Sequence, residues 1–109
     1  MARILNFGSL NLDQVYRVDA FVQPGETQSS LSLATHCGGK GLNQSIAASR
    51  AGAEVWHAGL IGTDGDMLYE KLRENGVNRS LLERSCDVSG HAIIQVDNNG
   101  QNCILLYGG

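Results

Sequence analysis

A short run of glycine and polar residues is the part of this sequence best suited to chemistry. Gly38, Gly39 and Gly41 surround Lys40, and Asn43 follows at the start of a predicted helix. Glycine leaves the main chain uncovered, and the first N–H groups of a helix have no partner within the helix. A small polar ligand could therefore approach these N–H groups closely, so the run predicts a binding loop. The alternative interpretations are a solvated surface charge for Lys40 and a helix cap for Asn43.

A second polar pair, Asn11 and Asp13, follows a short apolar run that ends at Gly8 and Ser9. Two residues apart in an extended segment, the two side chains point to the same face. A carboxylate accepts hydrogen bonds, and an amide both donates and accepts them. The pair could therefore contact a polar ligand, although Asn and Asp also shape turns by bonding to nearby backbone.

The spacing of the glycine run differs from that of the common nucleotide-binding motifs. A P-loop needs Ser or Thr directly after its Gly-Lys pair, but here Gly41 follows Lys40. The dinucleotide fingerprint Gly-x-Gly-x-x-Gly also fails, because Asn43 and Gln44 occupy its later positions. No motif of this chain therefore places ATP or NAD.

The composition is that of an ordinary globular chain. It has 109 residues, a net charge of -3 and 42% hydrophobic residues, which argues against a basic nucleic-acid binder and a disordered acidic tail. The apolar run of residues 4–7 is much too short for a signal sequence or a membrane span. We therefore predict a soluble, cytoplasmic protein without nucleic-acid or membrane partners.

The cysteines and histidines show no spacing typical of a metal site. There is no C-x-x-C pair, the number of cysteines is odd, and the histidines are dispersed. We predict reduced thiols and no metal ligation by these residues, which are Cys37, Cys86, Cys103, His36, His57 and His91.

The elements that must position the polar residues follow from hydrophobic patterns and turn residues. The patterns predict a buried strand at 4–7, a half-exposed strand at 27–35, a helix at 41–50, a strand at 55–61, a helix from an N-cap at 63–64 to Gly76, a short strand at 77–78, and a hairpin of 92–96 with 102–106. Strands that alternate with helices favour a mainly parallel sheet, whereas the exposed strand and the hairpin indicate a separate small sheet. The predicted fold class is α/β.

Four ordered motifs of the sequence resemble those of the ribokinase-like (PfkB) carbohydrate kinases. They are GSLNLD at residues 8–13, GGKGLNQS at 38–45, AGA at 51–53 and GLIGTD at 59–64. The resemblance covers essentially all of the chain and identifies it as the N-terminal part of such a kinase, closest to ribokinases. It implies a partial ribokinase-like fold, with an α/β core at 4–9 and 38–90 and a small β lid formed by segments 14–36 and 92–106.

The resemblance also assigns roles to individual residues. In this family the first turn and the glycine loop line the sugar site. The implied substrate-binding residues are Asn11, Asp13, Gly38, Gly39, Lys40 and Asn43. The family's Asp base, its glycine-rich anion hole and its nucleotide site lie in the C-terminal part of complete members, so we expect no catalytic residue and no metal ligand in this chain, and no phosphoryl transfer by its 109 residues.

The family's reaction transfers the γ-phosphoryl group of ATP to a sugar hydroxyl, with Mg²⁺ neutralising the phosphate charge. Ribose is the expected sugar; fructose, another ketose or aldose, or a nucleoside are the alternatives, and a requirement for a monovalent cation stays open. A third possibility is a non-catalytic sugar-binding or interaction module. The resemblance further implies a homodimer formed through the lid, and a sheet that lacks its later strands should self-associate.

Overall fold

The computed structural model describes residues 2–109 and contains two β-sheets and two helices. In chain order the elements are β1 Arg3–Phe7, β2 Asn11–Arg17, β3 Ser32–Gly38, α1 Lys40–Arg50, β4 Glu54–Ile61, α2 Asp66–Glu74, β5 Leu82–Arg84, β6 His91–Val96 and β7 Asn102–Tyr107. The predicted α/β class, with a mainly parallel sheet, flanking helices and a second small sheet, is confirmed.

The first sheet is parallel and has the strand order β1-β4-β5. One face packs against α1 and α2, and the shared core is formed by Leu42, Ile46, Val55, Ile61, Leu68 and Leu72. The opposite face is uncovered, so Leu5 is 64% exposed and Phe7 is 83% exposed. The prediction that residues 4–7 form a buried strand is therefore correct for the strand and wrong for the burial. A strand side chain is buried only if a second layer covers its face of the sheet.

The second sheet has the order β3-β2-β6-β7 and mixes antiparallel and parallel pairs. β2 pairs with β3 and β6 with β7 in antiparallel fashion, whereas β2 and β6 run parallel.

The predicted strand at 27–35 is shifted, because β3 starts at Ser32. Its partner β2 ends at Arg17, which pairs with Ser32, so earlier residues have no β2 residue to pair with. The predicted hairpin is present, and Gly100 in its turn has a φ of 77°.

Two boundaries near α2 differ from the sequence-based prediction. Gly65, and not Thr63 or Asp64, is the residue that precedes the first turn of α2, and no side chain caps this helix. The predicted strand at 77–78 is a single bridge between Asn78 and Trp56, and the third strand of the parallel sheet follows later, at Leu82–Arg84. Both differences have one cause, because contacts with residues distant in the sequence outweighed the local preferences of these short segments.

Candidate functional site

The two polar segments found in the sequence lie next to each other. Asn11 pairs with Gly38 across β2 and β3, and Asp13 pairs with His36. The N–H of Leu42, in the first turn of α1, donates a hydrogen bond of 3.0 Å to the carbonyl of Ser9. The loop between β1 and β2 therefore contacts both ends of the glycine run.

Close approach explains why glycine stands at three of these positions. A Cβ at Gly41 would overlap the backbone of Gly8 and Ser9, and a Cβ at Gly38 would overlap the carboxylate of Asp13. Gly39 has a φ of 102°, and a Cβ there would lie 2.7 Å from the carbonyl oxygen of Ser9. A side chain at any of these positions would push the two segments apart.

The six predicted site residues differ in exposure. Asn11, Asp13 and Gly39 are partly buried and Gly38 is buried, whereas Lys40 and Asn43 are exposed on the first turn of α1. Asn43 does not cap the helix, because Gly39 is the capping residue and the hydroxyl of Ser9, not the amide of Asn43, accepts from an N–H of the first turn, that of Gly41 at 3.5 Å. The backbone N–H of Asn43 donates to the carbonyl of Gly39 at 3.1 Å. The side chain of Asn43 is thus left free of a capping role.

The face of the second sheet that carries Asn11 and Asp13 also carries apolar residues. The strand register places Ala92 beside Asp13 and Leu106 beside Ala92, and Ile94 follows two residues later on the same face. Polar hydrogen-bonding groups next to a small apolar surface suit a sugar, which has hydroxyl groups and C–H faces. Sequence reasoning did not single out Ala92, Ile94 and Leu106, because alternation in a hairpin does not show which face lies beside Asn11 and Asp13.

A cavity of about 490 Å³ opens at the carboxyl ends of β1 and β4. Its lining includes Gly8, Ser9, Asn11, Gly62 and Asp87. Ligands of open parallel sheets commonly bind at the carboxyl ends of the strands. Among the six predicted residues only Asn11 lines this cavity; Asp13, Gly38, Gly39, Lys40 and Asn43 lie outside it. Of these six residues, Asn11 is thus the one that borders both the cavity and the glycine run.

Two carboxylates join the two sheets beside this cavity. Asp64 accepts a hydrogen bond of 2.7 Å from the backbone N–H of Ser89, and this bond holds the pKa of the Asp64 carboxyl below its ordinary value. Asp87 accepts a hydrogen bond from the hydroxyl of Tyr107, which lowers the pKa of Asp87. Both groups therefore act as hydrogen-bond acceptors that fix the 85–90 loop, a role that the sequence did not reveal.

A buried polar network lies beneath the contact between the two segments. The amide of Asn6 donates to the carbonyl of Gly41 at 2.8 Å and to the hydroxyl of Ser45 at 2.9 Å. The Ser45 hydroxyl lies 2.6 Å from Nδ1 of His57, and Nε2 of His57 lies 3.0 Å from the carbonyl of Gly8. Ser45 and His57 are fully buried. The network thus connects α1, β1 and β4 under the candidate site.

The hydrogen bonds of this network assign the protonation state of His57. A carbonyl oxygen only accepts, so Nε2 of His57 must carry the hydrogen that is donated to Gly8. Burial lowers the pKa of His57 below its ordinary value of 6.5, and the hydrogen bond to Gly8 opposes this effect. The ring is therefore neutral at pH 7, and Nδ1 accepts the hydrogen bond of the Ser45 hydroxyl.

We expect the stability of the fold to fall as the pH is lowered below about 6.5. The reason is that His57 binds a proton more readily in the unfolded chain than in the folded chain, where burial lowers its pKa. Asp64 and Asp87 contribute only at lower pH, since their stabilising effect is lost as the pH falls below their ordinary value of 3.8. Thermal unfolding at pH 5 to 8 measures the effect of His57 separately. The His57→Gln variant should have a shallower acid slope; an unchanged slope would contradict this account.

The described part of the chain contains neither a cluster of metal-ligating side chains nor a membrane-spanning helix. Among residues 2–109, no three His, Cys, Asp or Glu side chains lie together in a way that could hold a metal ion. Neither α1 nor α2 is long and apolar enough to span a membrane.

The sequence of the whole chain matches a known protein family. The family model described as pfkB family carbohydrate kinase matches residues 1–109. A bifunctional ribokinase/ribose-5-phosphate isomerase A of Fructilactobacillus sanfranciscensis is 38% identical over all of this chain, which spans 21% of that protein.

Solved structures agree with this match. A ribokinase from Cryptococcus neoformans in complex with ADP has a TM-score of 0.92 and 41% identity, covering 98% of this chain and 34% of its own. A ribokinase from Arabidopsis thaliana complexed with ribose and ATP has a TM-score of 0.87 and 28% identity, covering 98% of this chain and 36% of its own. The chain thus spans about a third of each of these ribokinases.

Proposed function

This chain belongs to the pfkB family of carbohydrate kinases, and from that membership and the geometry of its polar segments we propose that residues 1–109 form the sugar-binding part of a kinase for ribose. Such a kinase transfers the γ-phosphoryl group of ATP to a sugar hydroxyl. The ribokinases among the relatives and neighbours support ribose as the sugar.

One observation carries the proposal: Asn11 and Asp13 lie against the glycine run, with both side chains on one sheet face. Gly38 leaves room for the Asp13 carboxylate, and Lys40 and Asn43 are exposed on the first turn of α1. We assign hydroxyl binding to Asn11, Asp13, Lys40 and Asn43, and close backbone contact with the sugar to Gly38 and Gly39. A site of this kind discriminates strongly against analogues that lack a hydroxyl, because its polar groups then lose their partners.

A titration of the chain with several sugars tests this assignment. Amide spectra recorded with increasing ribose should show shifts at Asn11, Asp13 and Gly39, with weaker responses to 2-deoxyribose and fructose and to adenosine. A stronger response to fructose or adenosine would move the assignment to a fructokinase or a nucleoside kinase of the same family. The absence of any response to these ligands would overturn the sugar-binding role.

Nucleotide binding, which the reaction also requires, is assigned to sequence outside residues 1–109. No motif of the chain fits ATP, no residue is proposed as the catalytic base, and none is assigned to Mg²⁺ or a monovalent cation. We expect no ribose-dependent ATP turnover from the 109-residue chain in a coupled assay. Turnover by this chain would show that it contains a base and a nucleotide site of its own. If the chain binds sugar but its gene encodes no further residues, the second candidate, a non-catalytic sugar-binding module, is favoured.

We assign segments 14–36 and 92–106, which carry most of the second sheet, to a lid over the sugar, and segments 4–9 and 38–90 to the core. Closure of such a lid would exclude water and favour transfer to the sugar over hydrolysis.

Cys37, Cys86 and Cys103 are free thiols, which is consistent with a reducing, cytoplasmic location.

We expect the chain to self-associate through the lid, because apolar side chains on this sheet are exposed. Leu105 and Leu106 are each 71% exposed on the edge strand β7, and Leu33 is 55% exposed on β3. Size-exclusion chromatography with light scattering should therefore give at least a dimer. The double variant Leu105→Lys with Leu106→Lys should shift the mass toward the monomer, whereas a clean monomer of the unmodified chain would contradict the dimer proposal.

A further inference from the structure

The loop between β1 and β2 meets the first turn of α1 where Gly8 packs backbone against backbone on Gly41, and a Cβ on Gly8 would lie 2.8 Å from the Cα of Gly41. The N–H groups of Leu42 and Gly41 donate to the carbonyl and the hydroxyl of Ser9 at 3.0 and 3.5 Å, and the β2–β3 ladder joins the same segments. None of these bonds reaches the carbonyl of Gly8 or the carbonyl of Gly41. Both carbonyls accept hydrogen bonds from side chains beneath the loop.

We propose that Asn6, Ser45 and His57 are positioning residues for the sugar site, which hold the carbonyl of Gly8 and the carbonyl of Gly41 at a fixed separation. This inference rests on the proposed sugar-binding function. Asn6 bonds the Gly41 carbonyl and His57 bonds the Gly8 carbonyl, and Ser45 bonds both side chains. A continuous chain of four hydrogen bonds therefore runs from one segment to the other.

Each donor of the network has an acceptor, and this fixes the direction of every hydrogen bond in it. The two N–H groups of Asn6, the hydroxyl hydrogen of Ser45 and the Nε2 hydrogen of His57 each have one acceptor. Carbonyl oxygens only accept, so a flipped Asn6 amide would set an acceptor against the carbonyl of Gly41, and the other His57 tautomer would set one against the carbonyl of Gly8. Only one arrangement of the three side chains satisfies all four donors, and it sets the positions of both carbonyls.

The three side chains bond one another as well as the two carbonyls. Replacing all three by apolar side chains removes their mutual bonds at little cost, but it leaves the carbonyl of Gly8 without the donor on His57 and so destabilises the fold. Val55 and Ile46, on the elements that carry His57 and Ser45, belong to the apolar core. What an apolar set would not supply is a directional bond to each carbonyl. Ligand sites depend on such bonds, because a displacement of about 1 Å can remove most of the benefit of a preorganised group.

The test compares the chain with an apolar variant of the network, Asn6→Leu, Ser45→Ala and His57→Leu combined. We expect this variant to fold and to bind ribose about tenfold more weakly, the loss of roughly one directional hydrogen bond. Ser45→Thr, which keeps the hydroxyl, should retain the affinity. The matched control is Val55→Ala, which removes neighbouring core volume but no polar contact; it should lower the melting temperature and leave ribose affinity unchanged.

A second measurement separates the positioning role from sugar binding itself. Nuclear Overhauser effects between the α-protons of Gly8 and Gly41, together with the amide shift of Leu42, report the separation of the segments without any ligand. These signals should change in the apolar variant and persist in Val55→Ala. If they are identical in all three proteins, the positioning role is wrong, whether or not ribose binds. If they change as expected but the unmodified chain binds no sugar, the positioning role stands and the proposed function fails.

Discussion

The Gly41→Ala variant is expected to lose about 3 kcal/mol of folding stability, an effect of opposite sign to the usual one. Alanine in place of glycine within a helix normally stabilises by about 1 kcal/mol, because it restricts the unfolded chain and favours helical dihedral angles. Here a Cβ would overlap the backbone of Gly8 and Ser9. Backbone cannot rotate away as a side chain can, so helix α1 or the 8–10 loop must shift.

Thermal unfolding measures this effect, and the melting temperature should fall by more than about 10 °C for a chain of this size. Gly8→Ala should be similarly destabilising, since it creates the same clash from the opposite side. Gly108→Ala is the matched control, because no heavy atom lies within 4 Å of its added Cβ. If Gly41→Ala melts at or above the temperature of the unmodified chain, the close packing of the two segments is wrong.

The second large effect is the loss of sugar binding in Asp13→Ala, which should weaken ribose affinity about 100-fold or more. A carboxylate that bonds two hydroxyl groups contributes roughly 3 kcal/mol, which corresponds to this factor. The side chain is partly exposed and its carboxylate lies over Gly38. Because the proposed role of Asp13 is to bind the ligand and not to hold the fold, the melting temperature should change little.

Glu83→Ala provides the matched control for Asp13. Glu83 is also a carboxylate, but it is exposed and lies on β5 beside Leu60, in the other sheet. Its removal changes the net charge equally and should leave ribose affinity unchanged. Equal losses in the two variants would indicate a general charge effect, and unchanged binding in Asp13→Ala would remove this residue from the site.

The length of the chain relative to the ribokinases decides which contacts a measured sugar affinity includes. The chain spans about a third of the ribokinase structures it matches, and one face of its parallel sheet is uncovered at Leu5 and Phe7. Sugar affinity measured on residues 1–109 therefore reports only the contacts assigned to these residues. Comparison of variants within the same chain is the sound measurement, because the contribution of any missing partner cancels.

Much of the fold could be predicted from local patterns. The helix near residues 40–50, the strand ending at Ile61 and the hairpin turn at Gly100 follow from periodicity and from turn residues whose preferences act within a few positions. Where the prediction was wrong, a distant partner decided the outcome. Asp64 accepts its hydrogen bond from Ser89 instead of capping α2, and β3 starts where Arg17 supplies a pairing partner.

For the candidate site, the sequence by itself determined the chemical types: an amide and a carboxylate two residues apart, and a glycine run before a helix. These depend on residue identity and short spacing alone. Only the tertiary structure decided that Asn11 borders a cavity that Asp13 does not line, and that Asn6, Ser45 and His57 meet beneath the loops. The reason is physical: such contacts join residues far apart in the chain, and their geometry is set by sheet register and helix packing, which no local pattern encodes.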